Sequence, residues 1–339
     1  MTQLPSSIPP LALTMGEPGG VAPEITIKAW RALKDSGLAF FVIAPPSIFG
    51  QDAPINVIDE TFNASATFKN SLPVYPLDNQ VNATAGVAAQ ENSAAVIKSI
   101  ERAVRLALDG RASAVVTNPI QKSALSSAGF QFQGHTEFLA DLTKNAPMEN
   151  KRARGPVMML AGPDLKTVPV TIHQSVRDAC ASLTTPIITH TAKVVHEALI
   201  ADFGLECPRL AISGLNPHAG EEGMMGMEDG LIIAPAVDEL QARGFKVIGP
   251  LPADTMFHEE ARAKYDAAIC MLHDQALIPA KTLAFHDAVN VTLGLPTIRT
   301  SPDHGTALGI AGTGAARADS LIAAIKLAAD MAAMRRRFS

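Results

Sequence analysis

Residues Tyr265–Lys281 read YDAAICMLHDQALIPAK. The first half, YDAAICML, is an apolar run of strand length. His273 and Asp274 therefore arrive where a buried strand ends, and Lys281 follows after a mostly apolar stretch. An imidazole, a carboxylate and an amine in that position fit an open α/β sheet, where ligands bind outside the carboxyl ends of the strands.

The rest of the chain repeats the pattern. PLALTMG reads as a first strand, APEITIKAWRALKDSG as a helix and LAFFVIAPP as a second strand. GVAAQENSAAVIKSIERAVRLALDG is a helix with Val96, Ile100, Val104 and Leu108 on one stripe and Gly110 as its stop. SAVVTNPI gives another strand ending in a loop, and PVMMLAGPDLKTVPVTI a strand pair about a Gly-Pro-Asp turn. RLAISGLNPHAGEEG and FKVIGPLPADTMF supply further strand ends, with helical segments such as TAKVVHEALIADFG between them. The tail DSLIAAIKLAADMAAMRRRFS reads as a packed helix returning to the first lobe, its arginines a solvated end. Neither an internal repeat nor a low-complexity linker is visible, so the lobes are expected to intertwine.

Composition narrows the function. A chain of 339 residues that is 47% hydrophobic has enough apolar material for one large or two ordinary cores. With 28 basic and 33 acidic residues the net charge is only −5, and one Trp and two Tyr offer little for stacking on bases, so no nucleic-acid partner is expected. Cys180, Cys207 and Cys270 form no C-x-x-C pair and read as packing residues in a reducing compartment. No basic leader precedes a long apolar segment and no run is of membrane-spanning length, so a cytoplasmic protein without membrane partners is expected.

The histidines fall into two kinds. His190 and His196 lie in a helical segment, and HEALI lacks the second histidine of a zinc-protease helix. His135, His173, His218 and His273 each follow a strand-like or turn segment and enter a polar loop. Three neutral imidazoles from separate strand ends can hold a divalent metal and leave positions open for substrate. Asp274 and Asp254 could orient imidazoles or act as acid/base groups. Lys281, Asn290 and Arg299 suit an anion such as phosphate or carboxylate. MGEPGGVAPE and SPDHGTALGIAGTG are glycine-rich, but neither is a G-x-G-x-x-G fingerprint nor a Walker loop.

GEPGGVAPE, NPIQK, GHTEFLA, VMMLAGPDLK, GLNPHAGE, PADTMF, MLHDQALIPAK and VNVTLGLPTIRTSPDHGTALGIAGTG occur in this order from about Leu11 to Gly314. Together they resemble the 4-hydroxythreonine-4-phosphate dehydrogenase family of vitamin B6 biosynthesis. The resemblance implies a two-domain α/β fold of the isocitrate/isopropylmalate dehydrogenase kind, forming a homodimer with its active site in the interdomain cleft at the dimer interface. It places residues 1–135 with 305–339 in one lobe, and 136–304 in a second lobe carrying metal ligands and dimer contacts. His173, His218 and His273 would hold one divalent ion (zinc, cobalt, manganese or magnesium) in a site shared between two subunits. His135, Thr136, Lys281, Asn290 and Arg299 would contact the substrate. NAD or NADP would lie near Asp303, Gly305 and Thr306.

The implied reaction oxidises a phosphorylated hydroxy-amino acid and then decarboxylates it, with Lys281, Asp254 or Asp274 taking the alcohol proton. Related dehydrogenases act on 4-phosphothreonate, on phosphorylated sugar acids such as the erythronate, or on aromatic cis-diols, which leaves the substrate open. Phosphate acyltransferases of similar fold use no histidine-bound metal, and the three strand-end histidines argue against that reading. The chain departs from the family's usual residues at Gly19, where alanine is common, at Gln121, often asparagine, and at Gly309, commonly aspartate.

Overall fold

The computed structural model describes residues 8–132 and 134–338. Contacts divide the chain into two units: the segment up to Pro147 together with Leu295–Arg337, and Met148–Gly294.

In the first unit the strands are β1 (Leu11–Thr14), β2 (Phe40–Ala44), β3 (Ile55–Val57), β4 (Leu72–Pro76) and β5 (Val115–Val116). The second unit carries β6 (Val157–Ala161), β7 (Lys166–Pro169), β8 (Arg209–Ser213), β9 (Lys246–Leu251), β10 (Ala267–Cys270) and β11 (Val289–Leu293). The chain then returns to the first unit with β12 (Arg299–Pro302).

The first unit runs β3-β4-β2-β1-β5-β12, with each adjacent pair parallel. Parallel strands covered on both faces read as unbroken apolar runs, and every residue of β1 and β2 is buried. Ala12, Phe41, Ile43, Ala103, Leu106 and Val115 belong to one core cluster, each large member contributing about 1.5–3 kcal/mol on burial. Ser99, buried in the helix Ser93–Leu108, donates to the Ile43 carbonyl at 2.7 Å and accepts from the Met15 N–H at 2.9 Å. That pair of bonds fixes the chain as it leaves β1. The helix buries Val96, Ile100 and Val104 as its stripe predicts, but Leu108 is 39% exposed. Gly110 follows with φ +70°, the left-handed stop that glycine supplies.

The second unit runs β11-β6-β7-β10-β8-β9. β6 pairs antiparallel with β11 and β7, whereas β7-β10-β8-β9 are parallel. The expected strand pair is present, and its turn is closed by the Gly162 N–H on the Leu165 carbonyl at 2.9 Å.

The tail helix Asp319–Phe338 buries Leu321, Ala324, Ile325, Ala328 and Met331 in the first unit, where Thr300 donates to the Ala324 carbonyl at 2.8 Å. Arg335 is half-buried and donates to the Pro296 carbonyl at 2.9 Å. The unit boundaries lie at Pro147/Met148 and Gly294/Leu295, not at the 135/136 and 304/305 divisions drawn from sequence. The helix His135–Thr143 packs on the helix Ser93–Leu108, and β12 pairs with β5. His135, Thr136 and Arg299 thus belong to the first unit. Cys207 is exposed rather than packed, while Cys270 is buried.

Candidate functional site

The sequence-derived residues fall into two groups, one on each unit.

In the first unit, β1 ends at Thr14 and the chain turns at Gly16, φ +70°, where a Cβ would lie 2.6 Å from that of Asn118. Glu17 follows, 2% exposed. Burial raises its pKa above the usual carboxylate value, while the Gly19 N–H at 3.3 Å and the Asn92 amide at 3.5 Å oppose that shift. A Cβ on Gly19 would lie 1.9 Å from the Val87 carbonyl oxygen, and one on Gly20 would lie 2.8 Å from that of Thr306. The two glycines are there because other loops cross directly over them.

Arg299 opens β12 and is 3% exposed. Its register partner on β5 is Val115, which brings it beside the strand end at Thr117. Nε and Nη2 both donate to the Thr117 hydroxyl, at 3.2 and 2.7 Å. Burial pushes the guanidinium down to about 10, opposed by the charge of Glu137, so it stays cationic at neutral pH. His135 opens the helix His135–Thr143 instead of entering a loop. Its Nε2 is buried and has no hydrogen-bond partner among the described residues. Burial, with the charges of Arg299 and Lys122, holds it well below the usual histidine value, so the ring is neutral. Thr136 lies in the same first turn. An unsatisfied buried polar atom calls for an explanation, and here it sits under the influence of two cations, a setting suited to an anionic ligand with a hydrogen to donate.

Asp303, Gly305 and Thr306 follow β12. The Asp303 N–H donates to the Ser320 hydroxyl at 3.3 Å, and Gly305 is exposed. Thr306 donates its hydroxyl to Gln121 at 2.8 Å, and its carbonyl accepts from the Val21 N–H at 3.0 Å. Through Thr306 the loop after β12 is joined to the NPIQK segment and to the first glycine loop. Beside them is a cavity of about 440 Å³ lined by Pro18, Gly20, Ala83, Ala85, Gly312 and Gly314 among others.

In the second unit, His173 follows β7 with φ +52°, and His273 is the first residue of the helix His273–Ala284 after β10. Their ring centroids are 6.2 Å apart. A nitrogen about 2.0–2.1 Å from a metal puts each centroid about 3.2 Å from the ion, so two rings on one ion lie roughly 5–6 Å apart. At 6.2 Å the two rings stand slightly wider than that, near enough for both to approach one ion after a small side-chain movement. Asp274 lies 2.8 Å from His273 Nδ1. With Nδ1 donating to that carboxylate, Nε2 presents a lone pair, as outer carboxylates arrange for metal-binding histidines.

His218 sits in the turn Pro217–Gly223 with φ +51°. Among the described residues, no group of three or more His, Cys, Asp or Glu side chains is gathered for a metal within the chain. Lys281 lies on the helix His273–Ala284 and Asn290 on β11, both half-buried. Asp254 is exposed and, with Asp274, Phe257, Ile278 and Leu283, borders a cavity of about 500 Å³. His190 is exposed on the helix Thr185–Ala201, and His196 packs against Phe245 at 4.5 Å.

Sequence reasoning did not single out Glu17, Thr117 or Asp229. Thr117 was findable as the polar residue ending the VV run, whereas Asp229, in GMEDG, looks like any acidic loop residue.

Polar side chains gathered at the ends of strands in α/β units are the mark of a ligand-binding enzyme of that class. Comparison with known proteins gives its kind. A family model described as "Pyridoxal phosphate biosynthetic protein PdxA" matches residues 37–328. The 4-hydroxythreonine-4-phosphate dehydrogenase of Bradyrhizobium diazoefficiens is 50% identical, with 96% of this chain and 97% of that protein covered. The crystal structure of the enzyme of that name from Klebsiella pneumoniae is 36% identical, with a TM-score of 0.84 over 97% of this chain and 99% of that one. A terephthalate 1,2-cis-dihydrodiol dehydrogenase from Burkholderia xenovorans LB400 is 26% identical, with a TM-score of 0.64 over 94% and 97% of the two chains. The chain belongs to the PdxA family, and its relatives are dehydrogenases.

Proposed function

We propose that this chain oxidises 4-hydroxythreonine 4-phosphate at C3 with NAD or NADP and then releases carbon dioxide, giving 3-amino-2-oxopropyl phosphate for pyridoxal phosphate synthesis. The observation that carries the reading is 50% identity, over nearly the whole of both chains, to an enzyme named for that substrate.

Arg299, anchored on Thr117 through Nε and Nη2, gives the substrate anion a buried planar guanidinium charge. His135, kept neutral, meets the same substrate through Nε2, with Thr136 beside it. Lys281 and Asn290 are further substrate contacts in this reading. His173, His218 and His273 would hold a divalent metal (zinc, cobalt, manganese or magnesium), which when bound would supply Lewis-acid stabilisation of negative charge on the substrate oxygen. Asp274, already engaged with His273 Nδ1, orients that imidazole, so the proton of the alcohol passes to Lys281 or Asp254. Asp303, Gly305 and Thr306, beside the cavity of about 440 Å³, would hold the nicotinamide cofactor, which when bound would supply the hydride acceptor. Loss of carbon dioxide leaves the electron pair on the α-carbon, which is protonated to the amino ketone.

Two copies associate, each completing the other's metal site. The reaction runs in the cytoplasm; no helix among the described residues is long and apolar enough to cross a membrane.

Metal content and turnover test the metal assignment. Exhaustive chelation abolishes turnover, and zinc, cobalt or manganese restores it. His273→Ala lowers metal content and rate together, whereas His190→Ala changes neither. Full activity in metal-stripped enzyme would remove the metal from the scheme.

A further inference from the structure

His218 is carried on a turn that L-residues seldom adopt. His218, Ala219, Glu221 and Glu222 have φ of 51, 53, 40 and 56°, with Gly220 between them at 80°. Left-handed backbone is unfavourable for each non-glycine residue, and a run of them needs an outside hold.

Asp229 supplies that hold. It is 2% exposed. One carboxylate oxygen accepts from the Leu215 N–H at 2.8 Å; the other accepts from the Asn216 N–H at 3.2 Å and from the Asn216 side-chain amide at 2.9 Å. That amide also donates to Glu228 at 2.9 Å. Asp229 is closely packed as well. A Cβ on Gly214 would come 2.6 Å from its Oδ1, and one on Gly220 would come 3.2 Å from its Cβ and Oδ2. The carboxylate is therefore wedged between the strand end that enters the turn and the glycine at its centre. The Ala219 N–H on the Asn216 carbonyl, at 3.1 Å, carries the constraint on to the residue after His218.

We infer that Asp229 is the positioning residue for His218: by tying the entry of the left-handed turn to its centre, it holds the imidazole ready for metal before the metal arrives. The inference rests on the proposed metal role of His218. A ligand ordered during folding spares metal binding the entropy of ordering it, which raises affinity. A purely structural Asp229 would alter stability but not the affinity of the folded protein for metal.

The test uses full-length, metal-stripped protein and zinc itself as the probe. Zinc affinity is measured by competition with a chromophoric chelator for wild type, Asp229→Asn, Asp229→Ala, His218→Ala and the double variant Asp229→Ala/His218→Ala. Amide hydrogen exchange at Leu215 and Asn216 is followed without metal. Affinity is expected to fall from wild type through Asp229→Asn to Asp229→Ala, by about 10–100-fold at the last step. Exchange at the two amides rises in the same order, and the double variant is no weaker than His218→Ala. Should Asp229→Ala not fold, Asp229→Asn decides, since it keeps the volume and one acceptor oxygen. Unchanged zinc affinity in the Asp229 variants, with a loss in His218→Ala, overturns the inference and leaves the metal site standing. Unchanged affinity in His218→Ala as well removes the metal role of His218 and the inference with it.

Discussion

Arg299 and His135 show how burial sets chemistry one side chain at a time. A guanidinium at 3% exposure is costly to bury unless its hydrogen bonds are satisfied, and its fork is seated on Thr117. Arg299→Lys keeps the charge but loses the planar fork, so the KM for substrate should rise about 10–100-fold, the worth of a charged hydrogen bond or two, while the KM for the dinucleotide changes little. The reverse pattern in steady-state kinetics would move Arg299 to the cofactor. His135 has a folded pKa depressed from its ordinary 6.5. As pH falls below that value the unfolded chain takes up a proton that the folded chain refuses, so stability is lost toward acid, by up to about 1.4 kcal/mol per pH unit. Urea midpoints between about pH 7 and pH 5 should fall more steeply for wild type than for His135→Asn; parallel curves would show that His135 titrates normally. Arg299 was legible as a cation near the site. Its burial was not, because the pairing of Arg299 with Val115 on β5 joins segments far apart in sequence.

Elements whose periodicity is clean were the most legible. The stripe on the helix Ser93–Leu108 gives Ile100 at 0% exposure and Leu108 at 39%. Ile100→Ala should cost about 2–5 kcal/mol in denaturant unfolding and Leu108→Ala under about 1; equal losses would mean that the helix faces elsewhere. The helix His273–Ala284 was not legible, because Pro279 lies inside it and reads as a breaker, although the buried Ala276, Leu277 and Ala280 hold it against the core. The left-handed turn at His218 was hidden too, since only one of the residues from His218 to Glu222 is a glycine. The glycine pair is a middle case. At Gly19 the Val87 carbonyl occupies the place that a methyl group would take. Gly19→Ala should therefore cost about 1–3 kcal/mol as the 82–87 segment is pushed away. An unchanged Tm would mean that the segment yields freely.

At the scale of the whole molecule, the α/β class was readable from eight strand ends and their loops, whereas the unit boundaries depended on which helix and strand each lobe recruits. The tail helix returns to the first unit, as its sequence led one to expect, but β12 crosses back with it, a choice made by strand pairing that leaves no local mark in the sequence. The proposed association has its own consequence. Variants lacking His173, His218 or His273 are each inactive, yet a pairing whose defects fall in different sites of the dimer should recover roughly a quarter of full activity after subunit exchange, because half the dimers are mixed and each keeps one intact site in two. If every pairing stays dead after exchange is confirmed by mass, all three histidines serve from one chain.

The central claim is the reaction itself, and its most direct measurement is nicotinamide reduction followed at 340 nm, with 4-hydroxythreonine 4-phosphate, 4-phosphothreonate and an aromatic cis-diol supplied at equal concentration with NAD, NADP and a divalent metal. The account predicts reduction with 4-hydroxythreonine 4-phosphate well above the other two, and one carbon dioxide released for each dinucleotide reduced. Faster reduction with either rival would reassign the substrate, and no reduction with any of the three would contradict the account.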